Sequence, residues 1–581
     1  MLHGPDARLR LIISVLVALL LPIVAQLVRI QVLEHPRYVE EAEQLLRRHY
    51  GLPEPPWGVI WDRNGELLVG NTPVYAVGIE VNLITDTLQT ARRLAPLVNL
   101  SPAELQEKLT LNRDEKSSIY VWRSLAQDVP PAAQEKIAAL ELPGITFSSG
   151  WVRYYAEGEL AAHLLGFVNE AGQGAGVQPY YLRFLRGKQV SNQGEVTPFS
   201  EPLAEELATA RTLPYPGTDL YLTIDRTIQA YVEGELAQAI TEYRAASGSI
   251  LVADPRTGEI LALANYPSYE PARYPEYAAL DTADIFQNPA ISHGYEPGSV
   301  FKVVTAAAAL DSGRVDLDWS YQDVGRLEYG GVVVRNWNRA AYGQQDLEGA
   351  LAHSLNVGMA TLATRVLGEE LFYDYVRAFG FGQPTGVGLA GEVSGMVHLP
   401  SDWDWEESFL ATNSYGQGIA VTQFQLLSAV SAVANEGTMM RPHVVKKRRY
   451  PDGVEVLIPP HQLGQPISPE TAATLTELLA RVVEREITLA QVPGYRVAGK
   501  SGTAQIPGAG GYEQEAVIAS FIGFGPLPEP QLLISVKLDR PDVPLAYRWG
   551  SYTAAPVFQR VAARLFVLLG IPPDDVRVTA Q

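Results

Sequence analysis

The chain has no cysteine. That excludes a disulfide scaffold, a thiol nucleophile and any thiolate metal site, and it suits an oxidising compartment, where stray thiols are a liability. Positive charge is also scarce. Lys and Arg number 45 against 65 Asp and Glu, a formal net charge of −20, whereas a phosphate-binding surface needs clustered cations; no nucleic-acid partner is expected. There is no Gly-x-Ser-x-Gly, so an α/β-hydrolase elbow is absent. Only nine lysines occur in 581 residues. That scarcity makes each lysine's neighbours informative.

What is present is a globular composition, 47% hydrophobic and 19% charged, long enough for about three or four domains. Leu11 to Val28 is almost wholly apolar, about the length that crosses a bilayer core, and Arg8 and Arg10 precede it. The positive-inside rule leaves residues 1–10 as a cytoplasmic head and exports the rest. A retained single-pass membrane anchor over 11–33 fits better than a cleaved signal peptide. The apolar run is long, no small-x-small site closes it, and Leu27 to Leu33 continues the helical pattern.

Residues 34–215 read as a mixed α/β spacer or docking region. Strand, turn and strand surround Asn64-Gly65, residues 82–142 are helical in pattern with Ser101-Pro-Ala-Glu as a capped start, and a glycine-rich turn at 172–178 precedes a helix over Pro179 to Leu185. No nucleophile-and-base pair or metal-ligand spacing stands out there. His163, on an apolar stretch, reads as a hydrogen-bonded core residue.

From residue 216 onward the pattern changes. Leu220 to Ile224 is a strand, Asp225 caps a helix to about Tyr243, and Ser249 to Ala253 and Glu259 to Ala264 form a hairpin across Asp254-Pro-Arg-Thr-Gly258. Tyr495 to Ile506, Val517 to Phe524 and Gln531 to Leu538 are three further strands, closed by a helix over Ala554 to Leu569. Two strands and three strands would make one antiparallel sheet flanked by helices.

Three short motifs fall inside this second region. Pro297-Gly298 bends the chain, and the alanine-rich helix after it places Ser299 in the first turn with Lys302 over the same face. Ser299 is the only serine three residues ahead of a lysine. Capping serines and surface lysines are common, so Ser-x-x-Lys means little by itself. Ser354-x-Asn356 and Lys500-Ser501-Gly502-Thr503 are likewise the only Ser-x-Asn and Lys-[Ser/Thr]-Gly in the chain. In this order within one region, the three together point to serine acyl transfer. Ser299 would attack a carbonyl while Lys302 takes its proton, which requires a poorly solvating pocket or a neighbouring cation. Ser354 could relay the proton to a leaving amine, and Asn356 could hold Lys302 or the substrate amide. Lys500 would supply the second cation and, with Ser501 and Thr503, grip a carboxylate. Gly502 would let the strand approach substrate closely. The backbone N–H groups of Ser299 and Thr503 would form an oxyanion hole.

The chain resembles the class B penicillin-binding proteins, monofunctional D,D-transpeptidases of peptidoglycan synthesis. The resemblance is carried by Asp62-Arg-Asn-Gly65, Gly176 to Gly187, Leu222-Thr-Ile-Asp225, Asp254 to Gly258, Glu296-Pro-Gly-Ser-x-x-Lys302, Gly416-Gln-Gly-Ile419, Ala434 to Gly437, Phe521 to Phe524 and Ala554 to Phe558. It implies an α+β fold: a five-stranded antiparallel sheet flanked by helices with an all-helical subdomain over 216–581, a mixed α/β pedestal over 34–215, and one transmembrane helix. It also implies a stem-peptide substrate ending in D-Ala-D-Ala, inhibition by β-lactam antibiotics, no cofactor or metal, and a SEDS-type glycan polymerase as membrane partner. Similar proteins usually have Arg-Gly where Trp57-Gly58 stands, a proline at Ala156, and a glutamate at Gln178. An Arg–Glu pair in the pedestal would then become a neutral hydrogen bond or be lost, which bears on pedestal signalling and not on the acyl chemistry. Residues 34–215 show no glycosyltransferase pattern, against a class A enzyme. The alternatives are a D,D-carboxypeptidase and a non-catalytic β-lactam sensor or divisome scaffold.

Overall fold

The computed structural model describes residues 20–22, 24, 26–34, 55–110, 121–190, 213–280, 283–508 and 511–578. Residues 11–19, 23 and 25 of the expected anchor lie outside these. Among the described residues no helix is long and apolar enough to cross a membrane, and Arg29–Leu33 form a single π-helical turn. The described chain divides into two compact units, one holding Asn71–Arg153 and Arg186–Gly217, the other Gly58–Gly70, Tyr154–Leu185 and Thr218–Gln581.

In the first unit, Thr87–Val98, Pro102–Lys108 and Pro131–Ala138 are helices around a core that includes Ile79, Leu94, Leu105, Leu125 and Ile137. Ser101 and Glu104 close the expected capping box, each side chain bonding the other's backbone N–H. The helical reading of 82–142 is corrected at Trp122–Val129, a strand antiparallel to Leu67–Glu80 with Glu80 opposite Trp122. Its buried residues, Leu125 and Val129, lie four apart with an exposed Gln127 between them, a spacing that a strand and a helix share. Arg153 stacks its guanidinium 5.5 Å over the Trp57 ring. It also donates to Asn71 Oδ1 at 3.0 Å, while Asn71 Nδ2 donates to the Trp57 carbonyl at 2.7 Å.

In the second unit, Asn64-Gly65 makes the expected hairpin turn, but only Gly65 takes a positive φ (89°). The buried Asp62 carboxylate does the rest, accepting from the backbone N–H groups of Asn64 and Glu66 at 2.7 and 2.9 Å. His163 is buried, its Nε2 3.0 Å from the Ile285 carbonyl, and burial lowers its pKa to about 4. Gln178 is fully buried and donates to Tyr155 Oη at 2.8 Å and the Gly166 carbonyl at 2.7 Å. The position usually held by a carboxylate is thus a neutral hydrogen-bonded one.

The central sheet of this unit comprises β1 (Ser247–Ala253), β2 (Ile260–Tyr266), β3 (Ala498–Gly508), β4 (Gly511–Gly525) and β5 (Leu532–Asp539). All neighbours are antiparallel in the order β2-β1-β5-β4-β3, so β3 is an edge. Helices α1 (Arg226–Tyr243) and α5 (Ala554–Leu568) pack on each other and on the sheet. The second group is α2 (Lys302–Asp311), α3 (Gln423–Ala434) and α4 (Pro469–Arg485), of which α3 lies on β4 and β5 and α4 on β3. α3 is buried on every side, which is why no amphipathic period marks it in the sequence. The subdomain between α2 and α3 is not all-helical. It carries two small ladders, Ser320–Asp323 with Gly343–Asp346 and Arg326–Tyr329 with Val332–Arg335. The second turns at Gly330-Gly331, both at positive φ (54° and 79°), ahead of a β-branched run.

Candidate active site

Three pieces of the second unit converge. The first is the turn Gly298–Phe301, a single 3₁₀ turn that runs directly into α2. Gly298 has φ +54°, and a Cβ there would lie 2.8 Å from the Thr503 carbonyl oxygen on β3. Its N–H donates to the Gly416 carbonyl at 3.0 Å, and a Cβ at Gly416 would lie 2.2 Å from the Gly298 oxygen. Gly502 completes the clamp, since a Cβ there would meet Val300 Cγ2 at 2.8 Å and the Pro297 oxygen at 3.1 Å. Backbone touches backbone on both sides of the turn, which only glycine allows. Ser299 is half-buried in this turn, and among the described residues its hydroxyl has no hydrogen-bond partner.

The second piece is the break between helices Leu347–Ala352 and Asn356–Thr361. The two helices are separated at Ser354, whose φ is +55°. This left-handed residue aims both its carbonyl and its hydroxyl at Lys302, whose Nζ is 2.6 Å from Ser354 O and 3.1 Å from Ser354 Oγ. Lys302 Nζ also donates to Asn356 Oδ1 at 2.8 Å, and Asn356 Nδ2 donates to the Arg335 carbonyl at 3.0 Å. Both ends of the Asn356 amide are therefore engaged, one of them on the lysine.

The third piece is the edge strand. Lys500 Nζ donates to Ser354 Oγ at 3.2 Å and to the Ser501 carbonyl at 3.1 Å. Strand alternation puts Lys500 and Gly502 on one face and Ser501 and Thr503 on the other. Thr503 Oγ1 accepts from the Gly550 N–H at 3.1 Å.

Both lysines are buried, Lys302 at 0% and Lys500 at 1% exposure. Loss of hydration holds Lys302 well below the ordinary lysine range, and the nearby Lys500 charge adds to the effect. Of the two causes, a poorly solvating pocket and a neighbouring cation, burial is the larger. Lys500 is lowered by burial to about 8. Neutral Lys302 has two N–H donors, which the carbonyl oxygens of Ser354 and Asn356 occupy, so its lone pair is free to accept a proton. The arrangement can take a proton from a hydroxyl and pass it through Ser354, whose oxygen both lysines reach.

Several contributors lie outside the three short motifs. Gly550 is fixed by backbone crowding, since a Cβ would lie 2.3 Å from the carbonyl oxygens of Gly502 and Ser520. Trp337 and Trp549 meet edge to face at 5.1 Å beside these elements. Glu296 accepts from the Gly418 N–H at 2.9 Å and from Tyr512 Oη at 3.1 Å, with its pKa raised by burial. Gly416 and Gly418 belong to a stretch already noted for its resemblance.

Residues 248–563 match the family described as the penicillin binding protein transpeptidase domain, and residues 53–222 match the penicillin-binding protein dimerisation domain. The chain is 33% identical over 526 residues to stage V sporulation protein D of Bacillus subtilis, covering 90% of this chain and 79% of that protein. It is 30% identical over 575 residues to the probable peptidoglycan D,D-transpeptidase PbpC of Pseudomonas aeruginosa, covering 98% of this chain and 96% of that one. Among solved structures, penicillin binding protein 3 of Mycobacterium tuberculosis complexed with aztreonam superposes with a TM-score of 0.67 at 27% identity, covering 90% of this chain and 98% of that one. Fold, paired domains and full-length relatives agree: the chain belongs to the penicillin-binding proteins that carry a transpeptidase domain.

Proposed function

We propose that this chain is a peptidoglycan D,D-transpeptidase that cross-links stem peptides through an acyl-enzyme on Ser299. The observation that carries the reading is the pair of buried lysines meeting at one hydroxyl, with a serine beside them in a glycine-clamped turn. Ser299 Oγ attacks the carbonyl of the penultimate D-alanine, and its proton passes to Lys302. The oxyanion is held by the N–H groups of Ser299 and Thr503, each such donor being worth about 3 kcal/mol. Collapse breaks the amide bond, and Ser354 carries the proton from Lys302 to the departing D-alanine amine. Lys500, Ser501 and Thr503 hold the terminal carboxylate, which a charged lysine does best. An amine of a second stem peptide then attacks the ester by the reverse sequence and regenerates Ser299. A β-lactam enters by the same attack, and a relative of this fold has been solved with aztreonam.

Acylation is therefore expected to need Lys302 neutral and Lys500 protonated. Because Lys302 is depressed, the rate should hold through neutral pH; it should fall as pH rises through about 8, where Lys500 loses its charge. Lys500→Arg should move that alkaline fall upward. Stopped-flow acylation against pH tests both, and an unchanged alkaline limb in the variant removes Lys500 from the role.

Water and an amine can each attack an acyl-enzyme, so the acceptor needs its own test. Reconstituted with lipid-linked precursor and a SEDS-type polymerase, the chain should yield cross-linked dimeric stem peptides that penicillin suppresses. Release of terminal D-alanine alone would replace the reading with a carboxypeptidase. The same proposal places the chain in the cell membrane through the apolar run at 11–33, with its head inside and residues 34–581 outside. A reporter active only in the cytoplasm, fused after residue 33, should be silent; activity would reverse the orientation.

A further inference from the structure

Lys302 takes its place from Ser354 and Asn356, so whatever fixes those two residues fixes the base. Ser354 is settled by the helix before it. Its N–H and that of Leu355 bond back to the carbonyls of Leu351 and Ala350, closing Leu347–Ala352 around a left-handed residue. Asn356 has no such local anchor. It opens the helix Asn356–Thr361, and the Leu355 side chain before it offers no acceptor to the free N–H groups of the first turn.

The missing cap comes from the small ladders. Asn336 directly follows the strand Val332–Arg335 and is 2% exposed. Its Oδ1 accepts from the Val357 N–H at 3.2 Å, while the neighbouring Arg335 carbonyl accepts from Asn356 Nδ2 at 3.0 Å. These two residues therefore hold both the start of the helix and the side chain that bonds Lys302. An amide can present either end, and Asp323 decides which. Asp323 ends the strand Ser320–Asp323 and is 1% exposed. Its Oδ2 accepts from Asn336 Nδ2 at 2.8 Å, which turns the Asn336 oxygen toward Val357. The same oxygen accepts from the Tyr342 N–H at 3.0 Å, and the Tyr342 ring stacks at 5.0 Å on His353, the residue before Ser354. Oδ1 accepts from the Gly325 N–H at 3.1 Å. None of these three donors is charged. A buried carboxylate held only by neutral donors depends on every one of them, so the ladder and the loop 336–342 stay tied to it.

We propose that Asp323 and Asn336 are positioning residues for acyl transfer, which set Asn356 on Lys302 without touching substrate. The pair acts at a distance through one chain of bonds: carboxylate to amide, amide to helix N–H, and Asn356 to the base. Its effect on the rate rests on the reading of Lys302 as the base for Ser299.

The test is stopped-flow acylation of the full chain in detergent by penicillin, resolved into the dissociation constant of the first complex and the acylation rate constant. Asn336→Leu keeps the volume and removes the amide. Its rate constant should fall by about tenfold or more, as for a misplaced base, with the dissociation constant held within about twofold. Asp323→Ala, which also releases Tyr342, should fall further. Asp62→Ala is the control, because it removes another buried carboxylate that accepts from backbone N–H groups, in the hairpin at Asn64-Gly65. It should lower the melting temperature and keep the parental rate constant. A parental rate constant in both Asn336→Leu and Asp323→Ala, or an equal loss in Asp62→Ala, overturns the proposal. Amide hydrogen exchange read by mass spectrometry, without penicillin, gives a second measure. Exchange over residues 355–358 should quicken in Asn336→Leu and not in Asp62→Ala, and an unchanged rate there also overturns it. If the parent forms no penicillin adduct, the transpeptidase reading fails instead, and exchange alone decides whether the pair holds Asn356.

Discussion

Ser299→Ala is expected to abolish covalent labelling by penicillin, and Lys302→Met to slow it by about 10²–10⁴-fold, the usual contribution of a general base. The two variants separate nucleophile from base. Ser299 has no hydrogen-bond partner among the described residues, so losing its hydroxyl should leave stability unchanged. Lys302 is different, because Met removes its hydrogen bonds to Ser354 and Asn356 but also relieves the burial of an amine. These effects oppose each other, and a near-isosteric apolar replacement of a buried ionisable group is often neutral or stabilising. The melting temperature should therefore stay close to that of the parent while the rate collapses. Intact-mass spectra and stopped-flow acylation decide it. An adduct persisting in Ser299→Ala, or a parental rate in Lys302→Met, removes that residue from its role.

Gly416→Ala is expected to cost nearly as much activity without touching any group that bonds to substrate. The new Cβ would lie 2.2 Å from the Gly298 oxygen and 2.7 Å from its nitrogen, and φ at Gly416 is +82°. Backbone must give way, and the backbone that gives is the turn holding Ser299 against Thr503. A displacement of about 1 Å in such a constellation can cost 10²-fold in rate. The φ penalty alone, about 1–2 kcal/mol, is controlled by Gly453→Ala, where φ is +86° and nothing lies within 4 Å. Both variants should lose stability, and only Gly416→Ala should lose acylation. If both label at the parental rate, the clamp does not position the serine.

The five strands of the catalytic sheet and helices α1, α2 and α5 were legible because each is apolar and closed by glycine, proline or a capping side chain, whereas α4 was not read. Asp225 caps α1 through the N–H groups of Thr227 and Ile228, as its position before an apolar run implies. The order of the strands was not legible, because strand period says which face is buried and nothing about which neighbour lies alongside. The five polar residues of the site could be named from three short motifs, since an acyl transfer of this kind needs those groups. Their arrangement could not. The left-handed Ser354 sits in a stretch with unbroken helical pattern, and the size of the Lys302 depression depends on how completely Phe301, Val303 and their neighbours exclude water. Gly550 and the Trp337–Trp549 contact depend on chain segments brought together only by the closed sheet. The strand at Trp122–Val129 was not legible for a local reason: its buried residues lie four apart with Gln127 exposed between them, a spacing a helix shares.

The strand order also determines how the molecule must come together in time. β1 pairs on one side with β2, its neighbour in the chain, and on the other with β5, Ser247 opposite Asp539. A ribosome delivers the hairpin early and its second partner almost last. Throughout that interval β1 presents an unsatisfied row of amides along an apolar sequence, the kind of edge that recruits other chains. Closing a contact over so long a loop is slow, because the entropy of the intervening chain is lost before any pairing rewards it. The catalytic strand β3 reaches the sheet only through β4 and β5, so assembly of the site comes after that slow closure. A chain cut short between Gly525 and Leu532 keeps Ser299, Lys302, Ser354, Asn356 and Lys500 and still lacks the strand that joins β1 to β4, so no closed sheet holds them together.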